Sequence, residues 1–361
     1  MKLSKIASAI ILSAFISTSL LPTARANQPR PYGDVRILST FPADPGFPEG
    51  VAVKGNKVYV SGPARFGTAG TGPSTVVAFN RDTGAVEATY TTQGEALAFE
   101  HANSCIAFDG QGRLYVLNIQ LGMYRIDTGS GAQESYSTPF PDLPVCDGNN
   151  APCSPTSFDA PALPNDIAFD EDGNAYVTDS LQATIWRVPA GGGTPQIWFQ
   201  DARLGTVPNG IGANGIRLSP DRSKLFVVVS IDPTGSPYIY TLPLVAAPVA
   251  SDLAVFKAFA PGDIPDGIAF GKSSNLYVAI ATPAASGIAI LNPSGAETGR
   301  LANPAGSPFF PYDSPANIAF DGHGSLLVTN HAFFTKNPAN FNVLDVYVGD
   351  KGSPLSKPDL P

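Results

Sequence analysis

Methionine is almost missing from this chain, at two residues in 361, and histidine and cysteine number only three each. So few soft or nitrogen ligands, with no Cys-x-x-Cys and no Cys/His spacing, leave no zinc-type site. A Gly-x-Ser-x-Gly elbow is missing, since Gly72-Pro73-Ser74 lacks the pattern, and a serine triad of that form is excluded with it. No glycine-rich phosphate loop occurs. No basic cluster occurs either: Lys and Arg total 22 against 30 Asp and Glu. Phosphate-backbone binding needs such a cluster, so no nucleic-acid partner is expected. Acidity instead favours solubility and a cation. No stretch holds a clean helical period over three turns. The 36 Gly and 35 Pro are spread among short apolar segments, a distribution that helix interiors do not tolerate and β structure does.

The one long apolar run lies at the start. Lys2 and Lys5 precede an apolar stretch from Ile6 to Leu21, Pro22 follows, and Ala24-Arg25-Ala26 makes an A-x-A cleavage site. Residues 1–26 are therefore expected to be a signal peptide that exports the chain to the periplasm or the medium. Nothing later approaches the roughly 20 apolar residues of a membrane span, so no transmembrane segment is expected in the mature chain. An oxidising destination favours a disulfide between Cys146 and Cys153, which bracket a short Pro- and Asn-rich loop. Cys105, directly before an apolar strand, is expected to be a buried free thiol.

Six segments repeat one pattern: a polar residue or two, a small apolar triplet, a turn, then a Val- and Tyr-rich strand. They are PEGVAVKGNKVYVSG from Pro48, NSCIAFDGQGRLYVLN from Asn103, PNDIAFDEDGNAYVTD from Pro164, ANGIRLSPDRSKLFVVV from Ala213, PDGIAFGKSSNLYVAI from Pro265 and PANIAFDGHGSLLVTN from Pro315. Their first apolar residues are Val51, Ile106, Ile167, Ile216, Ile268 and Ile318, a period of roughly 50 residues, the length of a four-stranded propeller blade. The fold expected is all-β, a six-bladed β-propeller over residues 27–350. Each repeat supplies the inner strand pair of a blade, and segments such as Gly122 to Ile126 and Ile185 to Val188 supply third strands. The strand from Val35 to Phe41 is expected to pair with Val343 to Val348 and so close the last blade. An open β-solenoid is the rival, and it leaves the spare terminal strand unexplained. The Pro-rich residues 351–361 are expected to form a loose tail.

Two residues before each apolar marker stand Glu49, Ser104, Asn165, Asn214, Asp266 and Ala316. In a propeller the innermost strands begin at the mouth of the central channel, so equivalent positions converge on the axis. Read singly, Pro-Glu-Gly, Pro-Asn-Asp and Pro-Asp-Gly are ordinary turn formers. Read together, they set two carboxylates and two carboxamides at one level. Facing carboxylates repel unless one is protonated or a cation lies between them. Hard oxygen donors of net charge −2 suit one divalent metal ion, Ca²⁺ before Mg²⁺, Mn²⁺ or Zn²⁺.

The repeats, through PEG at Pro48 to Gly50, PND at Pro164 to Asp166, ANG at Ala213 to Gly215 and PDG at Pro265 to Gly267, resemble the senescence-marker-protein/gluconolactonase family. That family is similar in turn to paraoxonases, diisopropylfluorophosphatase and strictosidine synthase. The resemblance runs along essentially the whole mature chain by repeat register. It implies a catalytic metal held by Glu49, Asn165, Asn214 and Asp266, and hydrolysis of a small-molecule lactone or related ester. Asp266 is then the general base or nucleophile, Asn165 and Asn214 hold the metal and orient the carbonyl, and Glu49 is a ligand. Ser104 and Ala316 depart from the pattern, and residues 139–164 look like an insertion able to lid the channel.

Further candidates stand where the second strand of each repeat ends: Asn118, Asp179, Asn330 and, beside the last, His331 as a proton shuttle. His101 is a weaker candidate, and His323, in an Asp-Gly-His-Gly turn, is expected to face solvent. A different function class stays open. NHL-like propellers share the same rhythm and serve as binding platforms, for which Phe309, Phe310, Tyr312, Phe333 and Phe334 offer an aromatic surface. A lyase or synthase on the same scaffold is a third reading.

Overall fold

The structure, a computed structural model, describes residues 30–283 and 285–361. The expected signal peptide lies outside them. Six four-stranded antiparallel sheets follow one another along the chain. Their innermost strands are Val51–Lys54, Asn103–Phe108, Pro164–Phe169, Ala213–Leu218, Pro265–Phe270 and Pro315–Phe320. Each lies against the innermost strand of the next blade, and the sixth lies against the first, so the ring closes. The strand Val35–Thr40 is the outer strand of the sixth blade, paired with Asn342–Tyr347. The protein is a six-bladed β-propeller with an N-terminal strand closing its last blade.

The continuous apolar runs follow from this geometry. Alternate residues of a strand face opposite sides of its sheet, and here both sides are dry. In the second blade, Tyr115 and Leu117 pack toward the third blade, whereas Leu114 and Val116 pack toward the first. Six buried apolar clusters result among the described residues, one between each pair of neighbouring blades. No helix among the described residues is long and apolar enough to cross a membrane.

The C-terminal segment corrects an expectation. Read as a loose Pro-rich tail, residues 351–361 instead run along the end of the channel opposite the mouth. Gly352 pairs with Gly271 of the fifth blade. The Gly110 N–H then donates to Pro358 O, the Gln111 amide donates to Leu360 O, and Arg113 and Arg125 donate to the backbone oxygen of Pro361. Residues Gly352 to Lys357 line a cavity of about 260 Å³ with Val51, Ile106, Ile167, Ala269 and Ile318. Proline removes donors but not acceptors, and the segment is held mostly by its carbonyls, by the Ser353 N–H and hydroxyl, which donate to Phe270 O and Gly271 O, and by one apolar knob. Leu360, 1 % exposed, is buried between the second and third blades. Leu360→Ala is expected to lower unfolding free energy by about 2–4 kcal/mol, measured in guanidinium chloride; a change within error would return the segment to a loose tail.

Candidate functional site

The polar ring is built by a recurrent break in pairing. In blades two to six the innermost strand pairs with its neighbour at the first residue, loses register, and regains it at the apolar marker. The two residues between, such as Asn165 and Asp166 or Asp266 and Gly267, sit in a β-bulge. A bulge re-aims side chains that a flat ladder would send into a sheet face. Glu49 takes the equivalent place in the first blade, its N–H donating to Ser61 O at 2.8 Å. Hydroxyls in or just past several second strands tie the start of an innermost strand to the preceding blade. Thr329 donates to Glu49 O at 2.6 Å, Thr178 to Asn214 O at 2.5 Å and Ser230 to Pro265 O at 2.6 Å.

The glycines of the motif also have a role that turn chemistry does not supply. A Cβ on Gly215 would lie 2.4 Å from Asp266 O, and one on Gly267 would lie 2.7 Å from Ala316 O. Neither has a positive φ. They are glycine because neighbouring innermost strands touch at the axis.

Glu49 is 5 % exposed. Burial, then the negative charge of Asp266 and Asp166, holds its carboxyl well above the usual range. Asp266 is raised in the same way, by burial and then Asp166, with the Asn214 side chain and the Gly267 N–H working in the opposite direction. The two amides add a second observation. The Asn214 Nδ2 donates to Ser230 Oγ at 2.9 Å, while its Oδ1, and the Oδ1 of Asn165, are buried with no hydrogen-bond partner. A buried acceptor left unpaired costs about 1–3 kcal/mol, so two at one level call for an electropositive occupant. Orphaned amide oxygens beside mutually repelling carboxylates fit a hard divalent cation, with Glu49, Asn165, Asn214 and Asp266 as the residues that would hold it. Among the described residues no three His, Cys, Asp or Glu side chains group as a metal site; half of this donor set is amide. Ser104 Oγ donates to Pro164 O at 2.7 Å and Ala316 carries no donor, so neither joins the set.

Of the second-strand candidates, only His331 reaches the ring. Its Nδ1 lies 3.8 Å from Glu49 Oε2, and its Nε2 lies 2.7 Å from Ala64 O. A carbonyl only accepts, so Nε2 carries the proton and Nδ1 is a bare acceptor. Burial pushes the imidazole down to about 4, with the Ala64 carbonyl opposing, and the ring is neutral at physiological pH. Backbone strain flanks this pair. Phe47 has φ +48° and Ala332 has φ +51°, a region that costs non-glycine residues energy and recurs at functional sites.

The other candidates have structural duties. Asn118 donates to Glu95 and Asn103. Asp179 accepts from the N–H groups of Leu163, Leu181 and Gln182 and from Trp186 Nε1. Asn330 accepts from Asp313 N and donates to Pro311 O and Asn340 O. His101, fully buried, has both ring nitrogens 2.9 Å from carbonyl oxygens, those of Phe99 and Gly72. His323 is exposed. Cys146 and Cys153 are bonded, and Cys105 is a buried free thiol. The insertion at 139–164 packs on the turn of the third blade: Leu143 N–H donates to Gln182 Oε1 and Ser154 Oγ to Gln182 O. Tyr312, grouped above with exposed aromatics, is 1 % exposed, whereas Phe310, Phe333 and Phe334 are open to solvent.

The sequence reading missed a second polar layer, made by Cys105, Asp166 and Asn317, each one residue past its ring position, and by Arg217, one residue past the apolar marker Ile216. Arg217 Nη1 donates to Asp166 Oδ2 at 2.6 Å and its Nη2 to Asn317 Oδ1 at 3.3 Å, and Asn317 Nδ2 donates to Cys105 Sγ at 2.8 Å. The chain thus crosses from the second blade to the sixth, fourth and third. Asp166 had been visible only as the third residue of PND, and Arg217 breaks the small apolar triplet of its repeat; those are the signals that pointed here.

Similarity to known proteins agrees with this architecture. A gluconolactonase from Zymomonas mobilis is 28 % identical over 177 residues, 45 % of this chain; the match spans 46 %, about half, of that relative's length. Among solved structures, regucalcin from Agrobacterium tumefaciens, described as a calcium-binding protein, superposes with a TM-score of 0.62. It is 16 % identical, over 91 % of this chain and 98 % of that one. Virginiamycin B lyase from Staphylococcus aureus superposes with a TM-score of 0.55 at 16 % identity, over 87 % of this chain and 99 % of that one. At those identities the two share the fold alone. Residues 76–332 match the SMP-30/Gluconolactonase/LRE-like region, and the chain belongs to that family.

Proposed function

We propose that the protein is an exported, metal-dependent hydrolase of a lactone or related ester, acting at the channel mouth with Ca²⁺ held by Glu49, Asn165, Asn214 and Asp266. The observation that carries this reading is the pair of buried, unpartnered amide oxygens on Asn165 and Asn214 beside two carboxyls that burial and mutual repulsion raise. A lactonase-type activity is also what the gluconolactonase relative and the family suggest. Bound Ca²⁺ would polarise the ester carbonyl and make a coordinated water more acidic.

The remaining work belongs to the chain. Asp266, which a bound cation would hold ionised while burial and the charge of Asp166 keep it more basic than an ordinary carboxylate, takes a proton from the attacking water or attacks the carbonyl carbon itself. Asn165 and Asn214 present Oδ1 atoms fixed by the bulges, which orients the reacting carbonyl. Glu49 supplies charge. The bare Nδ1 of His331, beside Glu49, relays the proton that Asp266 takes from the water to the leaving alkoxide; its ring is fixed by the Ala64 carbonyl. The channel is walled by six blades and crossed at its far end by residues 352–357, so water reaches the reacting carbonyl from the mouth.

The test is metal content and hydrolysis of a panel of γ- and δ-lactones by the full mature chain, before and after EDTA and after Ca²⁺ is restored. About one bound metal per chain, with hydrolysis lost and regained in step, is the expected result. A well-folded chain that hydrolyses no lactone or ester with Ca²⁺ present would favour the binding-platform reading instead.

A further inference from the structure

Arg65 stands in the loop between the second and third strands of the first blade, beside the candidate site. The arginines from Arg36 to Arg300 otherwise each have a hydrogen-bonded or ion-paired partner: Arg36, Arg81, Arg113, Arg125, Arg187, Arg203, Arg217, Arg222 and Arg300. Arg65 has none, and its Nε is buried without an acceptor. Its guanidinium lies over the face of Phe47, 4.9 Å from guanidinium carbon to ring centroid. The nearby acid, Glu100, is occupied by the N–H groups of Gly67 and Thr68 and by the Thr68 hydroxyl. An unpaired cation is anomalous in a chain of net charge −8.

The surroundings hold this guanidinium in register with the site. Ala64 N–H donates to Phe47 O at 3.1 Å, and Ala64 O accepts from His331. The Phe47 ring lies 5.6 Å from the His331 ring, which lies 5.5 Å from Phe333, itself 5.3 Å from Phe334. A path of aromatic faces thus leads from the Glu49 carboxylate outward, with one planar, unpaired cation at its side. Phe66, Phe99 and Phe310 are exposed on loops of the same face. A guanidinium stacked on an aromatic ring, weakly hydrated and with its fork unused, is the arrangement that takes a carboxylate.

We propose that Arg65 binds an anionic group of the substrate, so that the natural ligand is a carboxylate-bearing lactone or ester with an apolar body lying on Phe333 and Phe334. This rests on reading the mouth as a hydrolytic site, and two separate measurements tell the failures apart. The first uses no catalysis. Phenylacetate and its neutral isostere phenylacetamide are titrated calorimetrically into the EDTA-treated full chain. Wild type is expected to bind phenylacetate at least tenfold more tightly than phenylacetamide. Arg65→Met is expected to lose that preference, and Arg65→Lys, which keeps the charge and the contact with Phe47, to retain part of it. Equal binding of the acid and the amide by wild type, or an undiminished preference in a folded Arg65→Met, overturns the proposal. The second compares γ-butyrolactone with 5-oxotetrahydrofuran-2-carboxylate in the Ca²⁺-loaded chain. A KM at least tenfold lower for the carboxylate, abolished by Arg65→Met, supports the proposal. If neither lactone is hydrolysed while phenylacetate binding still depends on Arg65, the hydrolase reading fails and the anion site stands.

Discussion

Glu49→Gln is expected to raise the thermal stability of the metal-free protein and, at the same time, to abolish its stabilisation by calcium. The two shifts have one origin. Without a cation, Glu49 and Asp266 are buried carboxyls that repel each other and Asp166. Both are held above their ordinary range, so the metal-free fold binds protons that the unfolded chain has already released. Its stability therefore falls as pH rises from about 4.5 through the raised values. Replacing one carboxylate by an amide removes a repelling charge and flattens that dependence, a gain of about 1–3 kcal/mol near neutral pH. In the presence of calcium the order reverses. Wild type gains about 2.7 kcal/mol at a hundredfold excess of Ca²⁺ over Kd, and the variant, short of one charged ligand, gains little. Asp266→Asn should behave likewise and also lose hydrolysis about a thousandfold, because several kcal/mol of transition-state stabilisation depends on the occupied site. Melting temperatures in EDTA and in millimolar Ca²⁺ decide the matter. A Glu49→Gln variant that keeps the full calcium increment removes Glu49 from the ligand set.

The ring was legible from sequence because a propeller repeats its geometry with its sequence. One marker residue per blade, Val51 or Ile106 for instance, fixes the level of every neighbour, and counting back two residues gives the same depth in the channel six times. The closing strand was legible for a related reason: Val35 to Thr40 had no partner inside any repeat. What the repeats did not carry is whatever depends on one blade meeting a distant one. Arg217 and Asp166 belong to adjacent copies, and Asn317 and Cys105 to copies on other sides of the ring. Their pairing is a property of the closed axis, where four chain segments far apart in sequence come within hydrogen-bond reach. The glycine of PDG, taken singly, read as a turn former for the same reason, since the strand that crowds Gly267 comes from another blade. The tail misled because proline content reports lost donors, whereas residues 351–361 are held by their carbonyls, by Ser353 and by Leu360.

That second layer leads to the other large effect. Arg217→Met is expected to cost about 3–5 kcal/mol in EDTA, the usual consequence of removing one partner from a buried ion pair. The Asp166 side chain is 1 % exposed and that of Arg217 13 %; burial works against the charge on the guanidinium, and the Asp166 carboxylate outweighs it. Without Arg217, Asp166 would retain the N–H groups of Ile167 and Ile216 but no positive charge. It would then add its full repulsion to Glu49 and Asp266, which it already raises. Two consequences separate this from the loss of an ordinary packed side chain. Asp166→Asn in the same chain should restore most of the stability, because the amide removes the orphaned charge while keeping its acceptor for Ile216. Calcium should rescue Arg217→Met by more than it stabilises wild type, since a divalent cation one level above would screen three carboxylates instead of two. Denaturant unfolding of the single and double variants, with and without Ca²⁺, measures both. A single variant that unfolds within about 1 kcal/mol of wild type in EDTA, with no larger calcium increment, would mean that the layer carries no net charge into the site.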